Sequence, residues 1–323
     1  MSGFAIWCEG DNINQICSSD YDVHVNLWTN FNTPILDIGI MITYNPSLKT
    51  INFFIPFEVS KKYTIIDLGS VITKSKNILD AVFNESYSMI SENKSKQTNV
   101  QDESGIFQFT VYELDNTKDI EIRKEYNGTI VTINLEEKRG FEIGKKYYFR
   151  FRYKDSSLKK LIESRKDYNV FDVLLTENNF VDFRLNDWRS LSNSSLVEHI
   201  EDHKIKEYCL SKVNFFVMAQ GQIDIISRTK KSERKLENNT WDKYITLEEK
   251  SVVIAHQWQV KKENEKYPSS FNAYFKLKRQ WMNPKTIASY LLIIILINCL
   301  SNFSYKLLVY IFNNTVVHFF LGG

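Results

Sequence analysis

A mainly β body of α+β character, followed by a C-terminal transmembrane helical hairpin, is the fold class this sequence predicts. Runs rich in β-branched and aromatic residues recur along most of the chain, and polar or turn-forming residues punctuate them. No Pro-rich or Gly/Ser-rich linker divides these runs, and only five prolines and eleven glycines are present. Beyond residue 285 the composition turns apolar, with eighteen consecutive uncharged residues from Thr286 to Phe303. A β-sandwich, or two small β-rich domains meeting near residue 155, is the architecture expected for the body. The corresponding divisions are a β-rich domain at 1–155, a second β-rich or α+β region at 156–284 that ends in a basic neck, and the hairpin at 285–323.

In chain order, strands are expected over residues 22–28, 35–44, 50–59 and 62–68. Pro56 would suit an edge or a bulge in the third of these. A helix is expected over 74–90, where Ile78, Leu79, Val82, Phe83 and Met89 or Ile90 recur at helical spacing, and the polar run 91–105 reads as a loop. Strands resume in GIFQFTVYEL, GTIVTINL and KKYYFRFRYK, the second preceded by the Asn127-Gly128 turn signal. In the last of the three, Tyr147, Phe149, Phe151 and Tyr153 share one face while Lys146, Arg150 and Arg152 occupy the other, the pattern of a half-buried strand. Helical stretches near 158–164 and 195–208 then give way to strands at 212–219, 222–227, 251–260 and 271–281. The last places Phe271, Ala273, Phe275 and Leu277 inward and runs almost directly into the apolar region.

Residues 286–303 make about 27 Å of helix, close to the thickness of a bilayer's hydrocarbon core. Thr286, Leu291, Ile293, Ile295 and Leu300 mark this span; Leu307, Val309, Ile311 and Phe319 mark a second apolar run from Tyr305 to Leu321. One straight helix over both would overshoot a bilayer, so two spans turned at SNFSY, near Ser304, are expected. Lys276, Lys278, Arg279 and Lys285 form the basic neck before the first span, whereas the turn carries only Lys306. The positive-inside rule then places the body in the cytoplasm. Polar residues fall on faces: Asn298, Ser301, Asn302 and Tyr305 in the first run, and Lys306, Tyr310, Asn314 and His318, with Asn313 beside them, in the second. Such groups are costly in lipid and call for another helix or water, so the lipid bilayer and further copies of the chain are the expected partners. Interhelical hydrogen bonding and a water-lined pore both satisfy the pattern.

Charge and motifs restrict the remaining possibilities. Forty-one Lys and Arg against thirty-nine Asp and Glu leave a formal charge of +2, so no large single-sign field points to an acidic partner. The N-terminus lacks the basic and apolar regions of a signal peptide. Cys8, Cys17, Cys209 and Cys299 show no CxxC spacing, and reduced thiols are expected. His199, Glu201, Asp202 and His203 are the best metal-like group, but they match neither HExxH nor HxxEH, and a solvated helix face explains them. Cys8 or Cys17 would pair with His24 as nucleophile and base only if the fold joined them. No phosphate-binding loop or nucleophile elbow is present, so no catalytic residue, cofactor or metal is assigned and no enzymatic activity is expected. The basic run holding Arg228, Lys230, Lys231, Arg234 and Lys235 reads as an exposed hairpin or loop that could meet an anionic partner.

The sequence TIASYLLIIILINCL, the polar second run and the cytoplasmic basic flank together resemble the layout of two-transmembrane effectors of bacterial antiphage defence systems of the retron type. The resemblance implies a membrane-anchored effector of abortive infection in the inner membrane. Its body would sense a partner, such as a reverse transcriptase with its nucleic acid, and its spans would assemble and disrupt the membrane. A tail-anchored binding or scaffold protein without pore activity is the alternative, and a membrane-bound enzyme with an unrecognised site is a third reading.

Overall fold

The computed structural model describes residues 3–11, 20–29, 33–59, 64–91, 96–135, 140–165, 176–191, 194–202, 210–221, 223–227, 229, 232–237, 240–246, 252–264, 266–280 and 284–321. Strands β1 (Ala5–Gly10), β2 (Tyr21–Trp28), β3 (Ile35–Thr43), β4 (Leu48–Ile55) and β5 (Ile65–Asp67) precede helices α1 (Gly69–Ile72) and α2 (Lys76–Phe83). Then come β6 (Ser88–Ser91), β7 (Gln97–Gln101), β8 (Phe107–Tyr112), β9 (Ile120–Glu125), β10 (Gly128–Asn134) and β11 (Lys146–Tyr153). They are followed by β12 (Ile162–Arg165), β13 (Thr176–Leu185), α3 (Ser194–Asp202), β14 (Leu210–Gln220), β15 (Ile223–Ile226), β16 (Ser232–Lys235), β17 (Val253–Lys261) and β18 (Phe271–Gln280). The last element is α4 (Pro284–Leu321).

The strands form a ten-stranded sheet, in the order β16-β17-β14-β2-β3-β11-β8-β7-β6 with β5 also paired to β11, and two four-stranded sheets, β1-β4-β10-β9 and β12-β13-β18-β15. The large sheet is mixed, since β14 runs parallel to β2 and β8 parallel to β11. Period-two alternation decides its two faces. Val23, Val25, Leu27, Leu36, Ile38, Ile40, Phe149, Phe151, Phe215 and Val217 belong to one buried core shared with both small sheets. Phe53 meets Phe151 at 6.1 Å between ring centroids and Phe183 meets Phe215 at 4.6 Å, while Phe4 bridges the small sheets through Phe53 and Phe183. The body is therefore a sandwich in which two small sheets cover one face of a large one.

The opposite face carries a second core, where Trp28, Tyr148 and Met218 pack with Leu68, Ile72, Ile78 and Leu79 of the α1–α2 region and with Trp241, Tyr244 and Ile245. No boundary falls at residue 155, because β2 and β3 pair directly with β14 and β11 in one sheet and residues 3–164 and 179–277 belong to one compact unit. Among the described residues the second unit holds 165, 176–178, 278–280 and 284–321.

Several local expectations change. The helix over 74–90 ends at Phe83, where Asn84 adopts φ of 58° as its C-cap, and Met89 and Ile90 lie in β6. The expected loop at 91–105 contains β7, whose Thr98 and Val100 are buried within a polar sequence. Pro56 lies just past the end of β4, and helical character near 158–164 is a short 3₁₀ turn, Ser156–Leu161, that leads into β12. The β9–β10 hairpin turns at Tyr126-Asn127, both at positive φ, with Gly128 already paired to Glu125. The structure thus shifts the Asn-Gly signal by one residue, because a Cβ at Gly128 would stand 2.5 Å from the Ile55 carbonyl oxygen.

Candidate functional site

The membrane-directed element is one helix. Helix α4 runs unbroken for 38 residues through Ser304, about 57 Å of axis, so the expected hairpin is replaced by a single candidate span, Ile287–Asn313. The SNFSY segment contains no Gly or Pro, and its Ser and Asn residues cost a helix only fractions of a kcal/mol each. The 27-residue span is about 40 Å long, which a tilted helix fits into a bilayer, leaving the rest of α4 past its end. None of its most apolar window is buried in the protein, and Leu291, Ile295, Leu300, Leu307, Val309 and Ile311 are exposed.

Continuity also merges the two polar faces. On one helical wheel Asn298, Ser301, Asn302, Tyr305, Lys306 and Asn313 fall within an arc of about 140°, and all six are exposed. Tyr310, Asn314 and His318 step progressively off that arc, along the backbone positions of the same helix. Thr286 and Phe319 are also helical, and Ile293 is half-buried.

The basic neck divides between two elements. Lys276, Lys278 and Arg279 are half-buried on β18, with Lys276 Nζ lying 5.7 Å from the Phe180 ring centroid, and Lys285 is in the first turn of α4. In the basic run, Arg228, Lys230 and Lys231 lie outside the described residues. Arg234 is held within the fold, where it donates to Asn84 Oδ1 at 2.6 Å and to the Ala81 carbonyl at 3.3 Å and so fastens β16 to the end of α2. Lys235 is exposed at the end of the same edge strand.

The remaining candidates do not come together. His199 Nε2 is 3.4 Å from Glu9 Oε1 and packs near Trp7 and Tyr126; Glu201 and Asp202 are on the same helix, and His203 lies outside the described residues. Among the described residues no group of three or more His, Cys, Asp or Glu gathers. Cys8 is buried in the core between the sheets, whereas His24 is on the opposite face of the large sheet, so this pair forms no nucleophile and base; Cys17 lies outside the described residues.

On that opposite face is a cleft of about 460 Å³ that the sequence did not reveal. Sheet register lays out its floor. One row crosses Gln259, Asn214 and His24 and continues past the cleft through Gly39 and Arg150; the next crosses Ser232, Gln257, Phe216 and Asn26 and continues through Asp37 and Arg152. Toward one end β14 and β2 contribute Lys212 and Asp22, with Lys146 nearby; toward the other lie Met218, Ala255, Leu236 and Trp241. The end of α2, Ala81–Phe83, supplies further walls. The floor is therefore polar in the middle, cationic at one end and apolar at the other.

Beside it, on the same face of the sheet, is a buried polar network. Arg152 donates from Nε and Nη2 to the two oxygens of Asp37 at 2.7 and 3.0 Å, and Trp28 Nε1 and the Tyr244 hydroxyl add bonds to Asp37 Oδ2 at 2.8 and 2.9 Å. Arg150, 1% exposed, donates to the hydroxyls of Tyr244 and Tyr148, both at 2.7 Å. Its remaining nitrogen reaches Asn26 Oδ1 at 2.8 Å once that amide is turned to let its Nδ2 donate to the Val25 carbonyl. All three contacts of Arg150 are neutral acceptors, while its charge persists in the interior. Gly39 is required here because the Tyr148 hydroxyl occupies the space its Cβ would fill, 2.0 Å away.

This network sets the state of His24. Burial, then the positive charges of Arg150 and Lys212, lower its pKa to about 3, so it is neutral at pH 7. Its Nδ1 lies 3.4 Å from the Tyr148 hydroxyl, which already accepts from Arg150 and so points its own proton toward His24. With the Tyr148 hydroxyl as the donor, the imidazole proton sits on Nε2. Burial raises the carboxyl pKa of Asp22, and Lys212 and Lys146 partly oppose the shift. Neither protein-family models nor curated proteins match this chain.

Proposed function

We propose that this protein is a membrane-anchored effector of bacterial antiviral defence, with its β body in the cytoplasm and α4 crossing the inner membrane. The body senses a partner and governs the association of α4 with further copies, and the assembled helices disrupt the membrane. The observation that carries this reading is the polar arc of Asn298, Ser301, Asn302, Tyr305, Lys306 and Asn313 on an otherwise apolar, exposed span. A lone helix in lipid leaves those groups unsatisfied, whereas copies packed arc to arc satisfy them with one another or with water. The neck cations Lys276, Lys278, Arg279 and Lys285 support the cytoplasmic orientation. The resemblance to retron effectors adds the defence role and a reverse transcriptase with its nucleic acid as a candidate partner; it extends to body and anchor, with one span in place of two.

The test is expression of the full chain in bacteria carrying a potential-sensitive dye, with and without phage challenge, beside a chain in which residues 284–321 are replaced by an unrelated apolar span. The native chain is expected to collapse the potential under an activating condition and the replaced chain to anchor without doing so. A potential unaltered in every condition overturns the effector reading. Full biological function in the replaced chain supports a scaffold instead.

A further inference from the structure

The cleft on the large sheet has the chemistry of a ligand site distinct from anything the membrane helix does. Its volume of about 460 Å³ lies in the range of small-molecule pockets. Register gives it a polarity gradient along the strands: from Lys212 to Met218 on β14 is about 20 Å, running from a cationic end, past Asn214 and Phe216, to an apolar end shared with Ala255, Leu236 and Trp241. At the cationic end Lys146 and Lys212 face the single carboxylate of Asp22; Arg150 lies in the row of His24, Arg152 is committed to Asp37, and Glu85 also lines the cleft. Arg150, beside the floor, is a buried guanidinium whose direct hydrogen bonds all go to neutral oxygens, with Asp37 as the nearby carboxylate.

Two donors stand on the floor. The Nε2–H of His24 has no partner among the described residues, and His24 is 9% exposed, lining the cleft. Asn214 accepts at Oδ1 from Gln259 at 2.6 Å and from Gln257 at 3.4 Å, which leaves its Nδ2 donors uncommitted among the described residues. Both groups line the open cleft, where an anion's oxygens would accept from them. At the far end, the indole of Trp241 and the side chains of Met218 and Leu236 offer an apolar surface suited to a flat ring.

We propose that this cleft binds a small anion carrying a planar ring, the simplest such compounds being nucleoside monophosphates, with the anionic group over His24 and Asn214 near Lys212 and Lys146 and the ring toward Trp241 and Met218. The inference deepens the sensing role of the body. It is tested by binding rather than by membrane leakage, so either can fail without the other.

The experiment is calorimetric titration of the purified full chain in detergent with the four ribonucleoside monophosphates, the matching nucleosides and inorganic phosphate. At least one monophosphate is expected to bind at micromolar concentration, with its nucleoside and phosphate alone each weaker by about tenfold or more. Lys212→Ala and Asn214→Ala are each expected to weaken that binding by about tenfold, with the unliganded melting temperature recorded as a check on folding. Lys146→Gln tests the same end through an exposed residue should either fail to fold. No binding by any monophosphate at millimolar concentration, a nucleoside binding as tightly as its monophosphate, or full affinity in the folded lysine variants overturns the proposal.

Discussion

Asp37 is fully buried yet receives four hydrogen bonds, two from Arg152 and one each from Trp28 and Tyr244, so its charge is matched in both sign and geometry. Removing one member of such a pair leaves the other charge buried and uncompensated, which costs about 3–5 kcal/mol. Asp37→Asn strands Arg152 beside the already unpaired Arg150, so chemical denaturation is expected to show a loss at the upper end of that range. A loss below about 1 kcal/mol would mean that water reaches the network. His24 makes a different statement about pH. Its folded pKa of about 3 lies below the ordinary value of 6.5, so between these values the unfolded chain binds the proton and the folded one does not. Its share of stability is complete above pH 6.5 and declines as pH falls toward 3. From pH 7.5 to pH 5 the loss amounts to about 2 kcal/mol. Urea midpoints across that interval are expected to fall less steeply in His24→Gln, since the glutamine does not titrate; equal slopes would place the pH dependence elsewhere, and not on Asp22, whose raised pKa opposes the decline.

At the scale of elements, the β9–β10 hairpin gives the sharpest case. Gly128 lies beside the Ile55 carbonyl and the Phe54 ring, each about 2.5 Å from where a Cβ would sit. Gly128→Ala must therefore push β10 away from β4, a pairing at the centre of its small sheet, and is expected to cost about 1–3 kcal/mol in thermal or urea unfolding. An unchanged midpoint would show that the hairpin yields freely. Strands with clear alternation, such as β2, β3, β10, β11 and β14, were legible because one of their faces must be apolar. β7 was not, since its polar side chains sit in a ladder toward the edge of the large sheet and its burial rests on Thr98 and Val100 alone among QTNVQ. The charged face of β11 was legible as a face but not as an interior. Arg150 and Arg152 read as the polar face of a half-buried strand, and contacts with Asp37, 115 residues from Arg152, and with Tyr244, further along the chain, bury them. The aspartate interrupting the apolar run ILDIGIMI was the one local sign of that interior. The cleft left no such sign, because its floor is assembled by register from β2, β14 and β17, which are far apart in sequence.

For the whole molecule, the apolar composition beyond residue 285 was legible but its geometry was not. Two apolar runs separated by Ser, Asn and Tyr suggest a turn when length is weighed against bilayer thickness, yet none of those residues breaks a helix, and the backbone hydrogen bonds of α4 continue through them. The consequence is topological. A hairpin returns residues past Leu321 to the side of the membrane that holds the body, whereas one crossing delivers them to the other side. Reporter domains fused ahead of residue 3 and after Gly323, each scored for periplasmic or cytoplasmic activity, separate the two. Opposite compartments are expected, with the body cytoplasmic because the neck cations resist translocation. Reporters in the same compartment would mean that α4 bends in lipid or lies along its surface. In that case the polar arc would no longer be one continuous face, and helix association through it would lose its physical basis.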